Sequence, residues 1–292
     1  MAHDTFQIGD LTAVIGDNEP YGEHQAGSNG IHRLVHRTEP TTLFVPTVAG
    51  FNLEHIFDGD QELRDVGESR QLFFEPRKAP MTFRRLSESE AELYQPPTPT
   101  FKLESWTRFR LVAPHFIDFS FRCRPTQDVF RHGYIGLFWA SYINAPEDKS
   151  MYFRGDQRWQ QLCTPQHYQG STVVHRDNSL DLTFTPDLRD ALYKNLSPLR
   201  FEEPFFYGLF RQHTLIVMFE GSAGLRFTHS PSGGGTNADL QTTNPAWDFQ
   251  FIIPTYELLR EYGFRARVVY RERCARPEVL REFQDWKNTL SA

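Results

Sequence analysis

Cysteine and lysine are scarce in this chain, and basic charge is outweighed by acidic. The three cysteines among 292 residues, Cys123, Cys163 and Cys274, are widely spaced and form no CxxC pair. They supply neither a disulfide framework nor a zinc knuckle, and read as inert thiols. Lysine occurs five times against 26 arginines, and the net charge is -6 at pH 7. No global basic field exists to hold nucleic acid, so no nucleic-acid partner is expected. The arginine bias leaves an anionic substrate open, because guanidinium forks suit carboxylates and phosphates. No apolar run approaches the ~18 residues of a membrane span. The first residues, Met1–Gly9, have neither the basic nor the apolar region of a signal peptide. A cytoplasmic protein without a membrane partner is therefore expected. The zinc-protease, Walker, dinucleotide and nucleophile-elbow motifs are missing too, and no cofactor is expected.

What is abundant is phenylalanine. There are 26 Phe against 4 Met, and aromatics make up 14% of the chain. Aromatic side chains favour pleated, half-buried surfaces, so composition leans toward β structure. Residues 117–124 alternate, with Ile117, Phe119, Phe121 and Cys123 opposite Asp118, Ser120, Arg122 and Arg124. That is the period of two expected of a strand with one wet face. Residues 264–271 repeat the pattern, and in 247–253 Trp247, Phe249, Phe251 and Ile253 face away from Asp248 and Gln250. Residues 213–220, the turn Gly221–Gly224 and residues 225–229 read as a hairpin.

Helices are few. Pro277 suits a first helical turn, and Val279, Leu280, Phe283 and Trp286 form a stripe of period 3.6 after it, which predicts a terminal helix over 276–290. Short helical turns are expected at 186–193 and 255–262. Loops fall at Gln95–Pro99, Asn144–Asp148 and Ser230–Asn237. No linker stands out, so the reading is all-β: one large antiparallel domain over 1–292, with a possible hairpin or arm over 1–38.

Three polar groupings could carry chemistry. In 130–146, His132, Tyr134, Phe138, Tyr142 and Asn144 would line one strand face with the small Gly136 and Ala140 between them. Bulky rings separated by small residues leave a trough, and the polar tips would fix a sugar lying on it. A core strand with internally satisfied tips has the same pattern. A second set is Glu220 with Arg226 and His229, although Arg226 and His229 fall on opposite faces of a regular strand. A third lies in 50–59, where Asn52, Glu54, Ile56 and Asp58 would share one face and Leu53, His55 and Phe57 the other. A carboxylate base with a histidine acid suits proton transfer at an anomeric carbon, and only geometry can pair them. His32 and His36, four apart, would need a third ligand to hold a metal, so no metal is expected.

The segment Trp106–Pro125 is similar to paired strands of galactose-mutarotase-like (aldose 1-epimerase-like) β-supersandwich proteins, and Gly50–Ile56 resembles the strand following their early glycine. Asn244–Gln250 resembles a late strand of such carbohydrate-handling domains. The resemblance spans roughly residues 40–272 and implies a large antiparallel β-supersandwich binding a small-molecule carbohydrate on a concave sheet. It implies an isomerase using a histidine acid and a carboxylate base. By residue type, His132 is then a candidate acid and Asp248 or Glu220 a candidate base. Arg226, Trp247, Tyr142, Asn144 and Tyr134 are the candidates for gripping the sugar. A non-catalytic carbohydrate-binding module and a metal-assisted lyase or hydrolase are the alternatives. Oligomeric state stays open.

Overall fold

The computed structural model describes residues 2–25, 27–60, 74–165, 169–184, 194–231 and 244–290. Three sheets account for the strands. The first joins β1 (His3–Ile8), β2 (Leu11–Gly16) and β3 (Gly30–His36).

The second has nine strands. It contains β5 (Thr82–Arg85), β6 (Glu90–Gln95), β7 (Leu103–Val112), β8 (Phe116–Pro125), β10 (Met151–Gly155) and β11 (Arg158–Leu162). It is completed by β14 (Phe205–Phe210), β15 (His213–Phe219) and β18 (Tyr262–Glu272). Its order is β11-β10-β14-β15-β18-β8-β7-β6-β5.

The third contains β4 (Asn52–Phe57), β9 (Ile135–Ala140), β12 (Thr172–His175), β13 (Leu196–Phe201), β16 (Leu225–Ser230) and β17 (Ala246–Ile253). Its order is β13-β12-β16-β17-β9-β4, with β12 and β13 parallel and every other pair antiparallel. A short helix α1 (Glu75–Lys78) precedes β5, and α2 (Arg276–Leu290) ends the described chain.

The phenylalanines fill the space between the two large sheets. Trp139 stacks on Phe249 at 4.9 Å with a 6° interplanar angle, and Phe119, Phe121, Phe227 and Phe264 join the same buried cluster. Alternation decides which face reaches it. Phe119 and Phe121 of β8 point inward, while Asp118 points outward and binds Arg110 and Arg267, each at 2.7 Å. Much of the arginine excess lies in such cross-strand pairs on the wet face of the nine-stranded sheet, where each contributes little to stability.

Two expectations change here. β15 and β16 do not form a hairpin: β15 pairs with β14 and β18, and β16 with β12 and β17. Residues 221–224 therefore cross from one sheet to the other. Gly224 makes this possible, since a β-carbon there would lie 2.1 Å from the Ile252 carbonyl oxygen. Residues 255–261 form bends and turns instead of a helix and make the return crossing. The turn expected at 186–193 lies outside the described residues, as does most of the 230–237 loop.

Helix α2 docks by its predicted stripe. Val279, Phe283 and Trp286 are buried against Phe205, Tyr207, Ile216, Met218 and Val269 on the outer face of the nine-stranded sheet. Its start is held by Glu278, whose carboxylate accepts the Ala275 N–H at 2.9 Å. No helix among the described residues is long and apolar enough to cross a membrane.

Candidate functional site

The outer face of the six-stranded sheet carries a row of buried polar side chains. Register places Arg226 beside Gln250 and Gln250 beside Phe138, which is in turn beside His55. The next row carries Thr172, Thr228 and Asp248. Gln250 donates to Thr228 at 2.8 Å and to Thr172 at 3.3 Å.

At β4 the ladder slips. Leu53 faces Trp139 and His55 faces Phe138, so Glu54 is the extra residue of a β-bulge. Asn29 holds the bulge open. Its amide accepts the Leu53 N–H at 3.1 Å and donates to the Leu53 carbonyl at 3.0 Å. The face pattern expected of a regular strand is thereby corrected: Ile56 joins the core with Leu53, and His55 lies with Glu54 on the outer side. Phe51, just before the strand, has φ 52, a strained conformation for an aromatic residue, and its N–H is bound by Ser141 at 3.0 Å.

Glu54 is the centre of the resulting cluster. Its Oε1 accepts from Tyr142 at 2.6 Å and from Arg77 at 3.0 Å, and its Oε2 lies 3.4 Å from His55 Nε2. Arg77 comes from α1 and is fixed by a 2.6 Å bond from its Nε to the Gly27 carbonyl. His55 stacks on Phe138 at 4.9 Å, and Phe74 meets it edge-on at 4.6 Å. Asp248, on β17, accepts the Ser141 N–H at 2.9 Å.

Burial decides the electrostatics. It pushes the Glu54 carboxyl up, against the pull of Arg77 and Tyr142. It raises Asp248 further, with the Glu54 charge adding to the effect. Two buried carboxyls that repel each other do not both ionise readily. The Arg77 guanidinium beside Glu54 works against its rise, and the Ser141 N–H works against that of Asp248. Burial also holds His55 neutral, with its pKa lowered to about 3. Tyr142 and Arg77 keep partial exposure, and a cavity of ≈ 700 Å³ opens beside Arg77, Phe74 and Asn18. Tyr142 and Arg77 thus link the buried Glu54 carboxylate to half-buried positions nearer the surface.

The residues singled out from the sequence fall in several places. Asp248 and Tyr142 meet in this cluster. Tyr134 joins Phe138, Ala140 and Phe57 in an apolar patch on the same face, and its hydroxyl donates to the Thr183 carbonyl at 3.1 Å. The trough foreseen over Gly136 is occupied: a β-carbon there would lie 2.3 Å from the Phe57 ring. Arg226 is buried on this face, and burial lowers its pKa to about 10.

His132 lies instead in the turn before β9, half-buried, and Asn144 lies beyond the strand, donating to the Thr42 carbonyl at 3.2 Å. Trp247 is 0% exposed and points between the sheets, its indole N–H bound to the Lys149 carbonyl at 2.8 Å. Glu220 lies just after β15 of the other sheet and pairs with Arg265 at 2.7 Å. Arg77 and Asn29 escaped the sequence reading, since each acts on residues more than twenty positions away. Among the described residues no group of three or more His, Cys, Asp or Glu side chains is arranged to hold a metal ion.

The fold is that of the galactose-mutarotase-like β-supersandwiches, with a buried acid pair on the outer face of the smaller sheet. Among solved structures, a putative aldose 1-epimerase from Escherichia coli K12 matches with TM-score 0.56 at 10% identity, over 93% of this chain and 99% of that one. A galactose mutarotase related enzyme from Lactobacillus acidophilus matches with TM-score 0.52 at 11% identity, over 92% and 97%. A heparan sulfate lyase mutant from Pedobacter heparinus matches with TM-score 0.50 at 12% identity, over 94% of this chain but 36% of the lyase. No family model matches the sequence, and no curated protein does.

Proposed function

We propose that this protein binds a carbohydrate on the outer face of the six-stranded sheet and interconverts its anomers by acid–base catalysis. The observation that carries the reading is the bulged Glu54, buried beside Asp248 and joined to Tyr142 and Arg77. Ionised Glu54 takes the proton of the anomeric hydroxyl, and Asp248 protonates the ring oxygen, with Tyr142 as the relay to Glu54. The C1–O5 bond breaks, the open-chain aldehyde rotates, and closure on the other face returns both protons. Arg77 and the Tyr142 hydroxyl favour the charged form of Glu54. The named activities of the two full-length structural neighbours support the same substrate class.

The test is magnetisation exchange between the α and β anomers of a panel of aldoses. Glu54→Gln is expected to lower the enzyme-dependent rate roughly 10²–10⁴-fold. A rate unchanged in Glu54→Gln removes it from the mechanism. A second reading, a non-catalytic carbohydrate module, is favoured by the depth of the two carboxyls, Glu54 being 4% and Asp248 1% exposed. It predicts sugar binding without any acceleration.

A further inference from the structure

We propose that a second binding site, built for a neutral oligosaccharide, lies at the end of the sandwich framed by the crossings 221–224 and 254–261. It goes beyond the Glu54 cluster and does not depend on the chemistry proposed there. The cavity between these crossings measures ≈ 920 Å³, within the ~300–1,000 Å³ of natural ligand sites.

Its floor is aromatic: Phe251, Tyr256, Tyr262 and Phe264 line it. The rings are held before any ligand arrives. Tyr256 donates to Asp128 and meets Phe130 edge-on at 5.4 Å. The Tyr262 oxygen accepts the Glu257 N–H at 2.7 Å, and the Arg260 guanidinium lies 5.5 Å from the ring centre. Phe264 stands edge-on to Phe251 at 5.5 Å. Rings fixed in this way stack against the C–H face of a pyranose with little loss of rotamer freedom.

The rim gives the class of ligand. Glu257 pairs with Arg260 at 2.6 Å, Glu220 with Arg265 at 2.7 Å, and Asp177 with Arg176 at 3.7 Å. Each carboxylate is matched by a basic group, so the rim has no strong field for an ion. Planar carboxylate and guanidinium groups instead present paired acceptors and donors, which vicinal hydroxyls can satisfy two at a time. The cavity is wider than one sugar ring needs, and its aromatic residues are spread over two strands and a crossing. A short chain of sugars fits that spread better than a monosaccharide.

Isothermal titration of the full chain with neutral gluco-, xylo- and galacto-oligosaccharides of increasing length tests this. At least one series is expected to bind more tightly with length. Arg260→Gln and Tyr262→Leu are each expected to weaken that binding roughly tenfold. The Arg260 side chain is 60% exposed, so its replacement leaves the fold intact, which an unchanged melting temperature verifies. Failure of every neutral oligosaccharide to bind at millimolar concentration overturns the proposal. So does preference for charged oligosaccharides, or binding that both variants leave untouched. Binding lost in Glu54→Gln but kept in Arg260→Gln places the ligand on the outer sheet face and refutes the end cavity, whatever the outcome for anomer exchange.

Discussion

Asp248 and Glu54 show what a buried carboxyl costs a fold. Both are buried in a sheet face, and both are held above the usual carboxylate range by lost hydration. A carboxyl raised in the folded state contributes stability at low pH, and that share is lost as pH rises above its unfolded value near 3.8. Asp248→Asn keeps an oxygen for the Ser141 N–H and removes the ionisable group. The variant should melt higher than the parent at pH 8 and close to it at pH 4, while losing anomer exchange. Differential scanning calorimetry at the two pH values checks this; an equal melting temperature at pH 8 contradicts the buried-acid account. His55 and His32 act with the opposite sign. Burial lowers each to about 3, so the unfolded chain takes up protons first as pH falls below about 6.5. Stability from these two histidines is full above that value and declines toward pH 3, and urea midpoints at pH 7.5 and pH 5 should fall accordingly.

At the scale of elements, the bulge in β4 and the docking of α2 make separate predictions. Asn29→Ala leaves the N–H and carbonyl of Leu53 without their described partner, which should cost ~1–3 kcal/mol. It should also lower anomer exchange, because Glu54 is then free to return to a regular register. Equal activity in this variant contradicts the bulge as the positioning device. Trp286→Ala, beneath α2, should cost ~3–5 kcal/mol in urea denaturation without changing exchange. Legibility in the sequence divides along the same line. Alternation in 117–124 and the stripe of Val279, Phe283 and Trp286 are local patterns, and local patterns exposed the strands and the terminal helix. The pairing of β15 with β18 is not local, so the turn at 221–224 looked like a hairpin when it is a crossing. The candidate cluster was half legible for the same reason. Glu54, His55, Tyr142 and Asp248 stood out as residue types, but a bulge pinned by Asn29 and a guanidinium delivered by α1 leave no periodic trace.

Across the whole molecule, the two large sheets divide the work. The nine-stranded sheet has one face in the aromatic core and the other under α2 or under arginine–carboxylate pairs. The six-stranded sheet shares that core and turns a buried polar face outward. The likeness in fold to the two neighbours from Escherichia coli and Lactobacillus acidophilus extends over 93% and 92% of the chain, so both sheets belong to the shared fold. The most direct measurement is anomer exchange by magnetisation transfer, run on the parent and on Glu54→Gln with the same aldose panel. The account predicts acceleration by the parent for at least one aldose and its loss, by roughly 10²–10⁴-fold, in the variant. Acceleration of equal size in both proteins would contradict it, and so would a parent that binds a sugar without accelerating its exchange.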